Sequence, residues 1–144
     1  MDNERFLCGP CPVARGLAHV GDAWSNLILR DAGRGLRRFD EFQKSLGIAP
    51  NILARRLKAL TDAGMLEKRR YSERPPRDEY VLTERGRDYL PVLHALGAWG
   101  ARHFGKGEVM RLVDTESSRA IEPVVVDRVS GRPTRELSLR TELP

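Results

Sequence analysis

Cysteine is almost missing from this 144-residue chain: only Cys8 and Cys11 occur, in the run Cys8-Gly9-Pro10-Cys11. Two thiols cannot make a disulfide framework, and the expectation is a reducing, cytoplasmic setting. Long apolar runs are missing too. No stretch of ~18 apolar residues occurs, so no membrane-spanning helix is expected. Met1 to Leu7 holds two acids, one arginine and no apolar run, which argues against a signal peptide. Histidine is scarce. His19, His94 and His103 show no metal-ligand spacing with acids or cysteines. There is no Ser-His-Asp order, phosphate-binding glycine loop or carboxylate pair in a workable frame. No enzyme, metal or cofactor is therefore expected. No internal repeat or low-complexity tract stands out.

What is present is enough apolar content, 40%, for the core of one ordinary domain, with 31% charged residues for its surface. The net charge of +5 is unevenly spread. Between Arg30 and Arg77 stand 13 Lys and Arg against 6 Asp and Glu, a surplus of +7; the remaining 12 basic and 14 acidic residues sum to −2. Such a concentration is the footprint of a polyanion partner. A merely solvated basic face is the alternative.

The chain reads as an unstructured arm over residues 1–11, then a helix from Pro12 to about Val20 carrying Val13, Leu17 and Val20 on one face. Asp22 caps a nearly buried helix from Ala23 to about Ala32. A third helix begins at Phe39 and ends near Leu46, and Gly47 leads into a fourth that opens at Pro50 and stops at Gly64. A short glycine-containing turn between two helices is the helix-turn-helix cue. On the Pro50 helix, Leu53, Leu57 and Leu60 share one face, while Asn51, Arg55, Lys58 and Asp62 share another, flanked by Arg56. A helix apolar behind and mostly cationic in front suits the major groove of DNA. Strands over Leu66 to Tyr71 and Glu79 to Leu82, joined by a basic proline loop, make a wing. Thr83 starts a long helix to about Phe104, which Pro91 should kink or split. Trp24 and Trp99 lie on apolar faces and are expected to pack in a core. Beyond Gly105, Val109 to Val113, Ile121 to Val126 and Thr134 to Leu139 resemble strands of a small β appendage.

Taken in order, these pieces resemble the HxlR-type regulators, a branch of the MarR-like winged-helix proteins. The matching residues are Cys11-Pro12-Val13, Gly21-x-x-Trp24, Leu27-Ile28-Leu29-Arg30, Arg37-Arg38-Phe39-x-x-Phe42 and Ile48-x-Pro50-x-x-Leu53-x-x-Arg56-Leu57. They continue with Gly64-x-Leu66, Pro75-Pro76-Arg77-x-Glu79-Tyr80-x-Leu82-Thr83-x-x-Gly86 and Trp99-Gly100, so the likeness covers residues 11 to about 104. It implies a dimeric bacterial transcription factor, and several such proteins sense oxidants or electrophiles through a cysteine before the first helix. The chain departs from the pattern at Ala23, where lysine is usual, and at Ala49, where a capping Ser or Thr is usual. Some relatives carry tail cysteines suggestive of a zinc ribbon. Ser117, Asp127 and Ser130 stand at those positions here, so zinc binding of that kind is not implied.

The fold expected is mainly α with a small β component: residues 12–104 as a winged helix-turn-helix with dimerising terminal helices, and 105–144 as the appendage. The partners expected are double-stranded DNA with a palindromic operator, a second copy of the chain, and a small-molecule or oxidant effector, without a membrane. Asn51 and Arg55 are placed to read bases, and Arg56 and Lys58 to hold phosphates. Arg74 and Arg77 flank the stiff Pro75-Pro76 pair and suit a narrow minor groove, unless they pair with Glu73, Asp78 or Glu79. Arg37 and Arg38 suit backbone phosphates. Val13, Leu17, Leu93, Leu96 and Trp99 are candidates for the subunit contact. Cys8-Gly9-Pro10-Cys11 matches the thioredoxin motif in letters, but no strand precedes it, so oxidoreductase chemistry is disfavoured. Cys11, just before a helix, is instead a candidate thiol sensor, because the positive end of a helix favours a thiolate. Cys8 would resolve it locally or bridge to a partner chain. An inert cysteine at a helix start remains the competing reading. A winged-helix module that binds protein rather than specific DNA is the alternative function.

Overall fold

The computed structural model describes residues 3–144. Six helices and a two-stranded sheet follow one another as α1 (Asn3–Leu7), α2 (Pro12–Val20), α3 (Ala23–Gly33), α4 (Phe39–Leu46), α5 (Pro50–Asp62), β1 (Leu66–Glu73), β2 (Pro76–Leu82) and α6 (Glu84–Phe104). The chain divides into two units, one ending at Leu90 and one running from Pro91 to Pro144.

The first unit holds the core. Ile28 and Leu29 of α3, Phe42 of α4, Ile48 of the turn, Leu53, Leu57 and Leu60 of α5, and Leu66 of β1 are buried. The leucine spacing of α5 thus places one helical face inward, as its period requires. Gly47 ends α4 in the left-handed conformation (φ 61°), which a side chain would resist, and this makes the tight link to α5. Asp22 caps α3, its Oδ1 accepting from Ser25 N at 2.8 Å. Glu41 reaches back from α4, and its Oε2 accepts from the N–H groups of Arg37 (2.8 Å) and Arg38 (2.9 Å). Those two bonds hold the Glu41 carboxyl below the usual carboxylate range.

β1 and β2 pair antiparallel, Leu66 opposite Leu82 through Glu73 opposite Pro76. The strands run further than expected, and the connection shrinks to Arg74-Pro75. Pro76 is tolerated because it is the first residue of its strand. The register slips between Arg70 and Ser72, leaving Tyr71 as a bulge. Tyr80 N donates to Arg37 O at 2.7 Å, pinning the wing to the segment before α4. At the start of α6, Gly86 N donates to Thr83 Oγ1 (3.1 Å). A Cβ on Gly86 would lie 2.2 Å from Met65 O, so this helix approaches the wing base closely enough to demand glycine.

The structure corrects three further expectations. The described part of the arm is not unstructured: Asn3–Leu7 is a helical turn packed on α2, and Arg15 Nε donates to Gly9 O at 2.7 Å, folding the link back. The arm's first two residues lie outside the described residues. Pro91 does not split α6, which is assigned continuously from Glu84 to Phe104. Pro91 removes one backbone bond at an exposed position, and the flanking turns continue. The tail is not a set of strands. It forms two isolated antiparallel bridges, Val113–Ala120 and Val126–Pro133, and a 3-10 turn at Thr134–Glu136. Pro123 and Pro133 offer no N–H to a ladder, and each apolar run feeds straight into a turn.

Those turns carry a short internal repeat, against the expectation of none. Val113-Asp114-x-x-Ser117-x-Arg119 recurs as Val126-Asp127-x-x-Ser130-x-Arg132. In both copies the aspartate Oδ2 accepts from the serine N and Oγ, the aspartate N donates to the arginine O, and the intervening residue (Ser118 or Gly131) has positive φ. The aspartates are held below their usual range mainly by the serine hydroxyls. From Pro91 to Pro144 no residue is buried.

Candidate nucleic-acid interface

The outer face of α5 follows from its inner one. Because Leu53, Leu57 and Leu60 are fixed inward, Asn51, Arg55 and Lys58 are exposed. Among the described residues none makes a hydrogen bond or ion pair with the Asn51 or Arg55 side chain, so both keep their donors available. Lys58 pairs with Asp62 one turn on, Nζ to Oδ2 2.6 Å, an exposed pair of little energetic weight. Arg56 behaves differently from the phosphate contact expected of it. It is half-buried, with Nε buried and lacking a hydrogen-bond partner, 3.5 Å from Asp22 Oδ1. This arginine ties the helix to the α3 cap.

At the wing, Arg74 and Arg77 are exposed and no described residue pairs with either. The acids proposed as competitors are engaged elsewhere: Asp78 with Arg70 (3.0 Å) and Lys68 (3.6 Å), Glu73 with Arg70 (3.6 Å) and Glu79 with Arg37 (3.9 Å). Arg70 hydrogen-bonding is the main cause that lowers the Asp78 carboxyl from its ordinary range. Arg38 lies over the ring of the bulged Tyr71, 4.6 Å from its centroid, a cation–π contact joining the α4 start to the wing. So among the described residues Arg55, Arg74 and Arg77 have no side-chain partner, while Arg37, Arg38 and Arg56 are also structural.

Two residues that the sequence did not single out organise this face. Asp31 is fully buried, its carboxylate accepting from Arg30 Nε (3.0 Å) and Ser45 Oγ (2.7 Å), which joins α3 to α4. Asn26 Nδ2 donates to Val20 O (2.7 Å) and Asp22 O (2.8 Å), and its Oδ1 accepts from Tyr89 Oη (2.6 Å). Burial raises the Tyr89 phenol, keeping it the donor. Only the polar letter at an otherwise apolar helix position could have signalled either residue.

The family model described as HxlR-like helix-turn-helix matches residues 19–108. The chain belongs to that family. Over 96 residues, 67% of its length, this HxlR-like chain is 41% identical to an uncharacterized HTH-type transcriptional regulator of Mycobacterium tuberculosis; the match spans 61% of that relative. Its structure is similar to that of PA1607, a proposed transcription factor, with TM-score 0.85, 39% identity and coverage of 96% of this chain and 99% of the other. It is also similar to the redox regulator HypR in its reduced form, with TM-score 0.61, 30% identity and coverage of 65% and 95%. The HxlR-like relatives are named as transcriptional regulators, not as enzymes. Cys8 and Cys11 of this HxlR-like chain are both exposed free thiols, and Ala14 N donates to Cys11 Sγ at 3.4 Å. Among the described residues no cluster of His, Cys, Asp and Glu could hold a metal, and no helix is long and apolar enough to cross a membrane.

Proposed function

We propose that the chain is a sequence-specific DNA-binding transcriptional regulator acting as a homodimer. The observation that carries this is the outer face of α5: Asn51 and Arg55 exposed and uncommitted, set on a helix whose other face is locked in the core, beside a wing with free Arg74 and Arg77. α5 enters the major groove, where Arg55 pairs with guanine and Asn51 with adenine, and the wing arginines enter the adjacent minor groove. Arg37, Arg38 and Lys58 hold phosphates, and Arg56 fixes the helix through Asp22. Val13, Leu17, Leu96 and Trp99 are exposed apolar side chains suited to a subunit contact, with Leu93 half-exposed beside them in sequence. A two-fold dimer sets the half-sites ~34 Å apart.

A gel shift with random duplex DNA between ~50 and ~200 mM salt tests the electrostatics: affinity should fall by ~10³-fold or more if about six phosphates are neutralised. A flat salt response overturns the reading. Selection from a random pool should then return a palindrome.

The regulator reading includes a thiol response. Cys11 is exposed at the cap of α2, three residues from Cys8, and the likeness to HypR supports oxidation there. Peroxide should give a Cys11 sulfenic acid that condenses with a thiol and changes operator affinity. Unchanged affinity of the oxidised protein removes this part alone.

A further inference from the structure

We propose that Ala54 is a third base-reading residue of α5, its methyl group packing on the C5 methyl of a thymine in each operator half-site. The proposal rests on the regulator reading and adds a base which that reading leaves open. Asn51, Ala54, Arg55 and Lys58 stand at i, i+3, i+4 and i+7, one face of a helix, and all four are exposed. Ala54 is the one apolar member of that stripe. Its neighbours carry groups suited to purines, an amide for adenine and a guanidinium for guanine. A methyl group offers nothing to a donor or an acceptor. Thymine alone of the four bases presents a methyl group in the major groove, and alanine is one of the side chains that meet it.

Two features let so short a side chain reach the base edges. The leading end of α5 carries no bulk: Ala49 at the N-cap and Pro50 after it are exposed, and Ala49 makes no side-chain cap bond. The helix can therefore enter the groove closely by that end. Lys58, one turn past Ala54, is also drawn away from it, its Nζ 2.6 Å from Asp62 Oδ2 a further turn on. Helical side chains otherwise lean towards the N-terminus, which would bring Lys58 over Ala54. Ala59 is exposed too, but it falls off the stripe and in the C-terminal half, away from the part that reaches bases.

The spacing also sets where the thymine stands. A helix rises ~1.5 Å per residue and a base step is ~3.4 Å, so three residues span ~4.5 Å. The thymine lies within about two base steps of the adenine read by Asn51 and of the guanine read by Arg55.

The test uses the full chain and the duplex it selects from a random pool. Each thymine of one half-site is replaced in turn by deoxyuridine, which removes only the C5 methyl. One replacement, beside the base whose preference Arg55→Ala relaxes, should weaken binding by about fourfold, the effect of uncovering one methyl-sized group. Ala54→Gly should bind the thymine and deoxyuridine duplexes equally, whereas Ala59→Gly, with the same loss of helix propensity, should keep the full difference. Because each readout is a ratio within one variant, a reduced folded fraction cancels. The proposal is overturned if no replacement weakens wild-type binding, or if Ala54→Gly keeps the difference, or if Ala59→Gly abolishes it. A selected duplex indifferent to deoxyuridine sinks the thymine contact alone; failure to select any duplex sinks the regulator reading and the contact with it.

Discussion

Arg55 and Arg56 are neighbours in sequence with opposite fates. A helix advances ~100° per residue, so one side chain clears the protein while the next lies against Asp22. The expected outcomes differ accordingly. Arg55→Ala should relax base preference at one operator position by ~1–3 kcal/mol and leave the melting temperature unchanged. Uniform weakening on all sequences would make Arg55 a phosphate contact. Asp31 gives the clearest stability prediction. It is fully buried and takes charge-assisted bonds from Arg30 and Ser45, so Asp31→Ala should cost about 2–3 kcal/mol in urea unfolding. A cost below ~0.5 kcal/mol would mean that the α3–α4 link carries no weight.

At the scale of elements, caps and the wing matter most. Glu41 joins α4 to the chain before it through two backbone N–H bonds made by the charged carboxylate. Its folded pKa lies below its ordinary value of 4.5. The stabilisation is therefore present above pH 4.5 and lost as pH falls through the folded pKa. Melting temperature should drop below about pH 4.5, and Glu41→Gln should flatten that part of the curve; an unchanged curve would contradict the cap. In the wing, removing both Arg74 and Arg77 should weaken DNA binding and reduce the salt slope by up to about 2, since each phosphate contact contributes ~0.9. The same change should spare the fold, because both side chains are exposed and neither makes a hydrogen bond or ion pair with a described residue.

Across the whole molecule, the two units differ in what holds them. The first has a shared apolar core; the second has no buried residue between Pro91 and Pro144, and past the end of α6 it holds the repeated Asp–Ser turns, single bridges and a 3-10 turn. Removing residues 105–144 should shift the melting temperature of the remainder by less than ~2 °C, because burial is the main stabilising term and the tail contributes none to the core. A larger drop would show that the tail is covered in the assembled protein. Trp99, expected in a core, is 55% exposed and packs edge-on against Phe104, ring centroids 5.3 Å apart. If the chain is the homodimer proposed above, replacing Leu96 and Trp99 by Asp should shift the sedimenting mass towards a monomer, and an unaltered mass would count against a contact through these residues.

The order of the first unit was legible because its signals are local. Leucines at helical spacing, the Asp22 cap, the Gly47 break and the Pro50 start each fix one element without reference to the rest. The absence of strands in the tail was not legible for the same reason. Its apolar runs have strand composition, but pairing depends on a partner strand, and the Asp114 and Asp127 turns reverse the chain first. By itself, then, the chain's linear pattern determined which helix is amphipathic and which residues are cationic. Only the tertiary structure decided which of those cations are spent on Asp22, Glu79 or Tyr71 and which stay free, because ion pairs join residues distant in sequence and depend on distance in space.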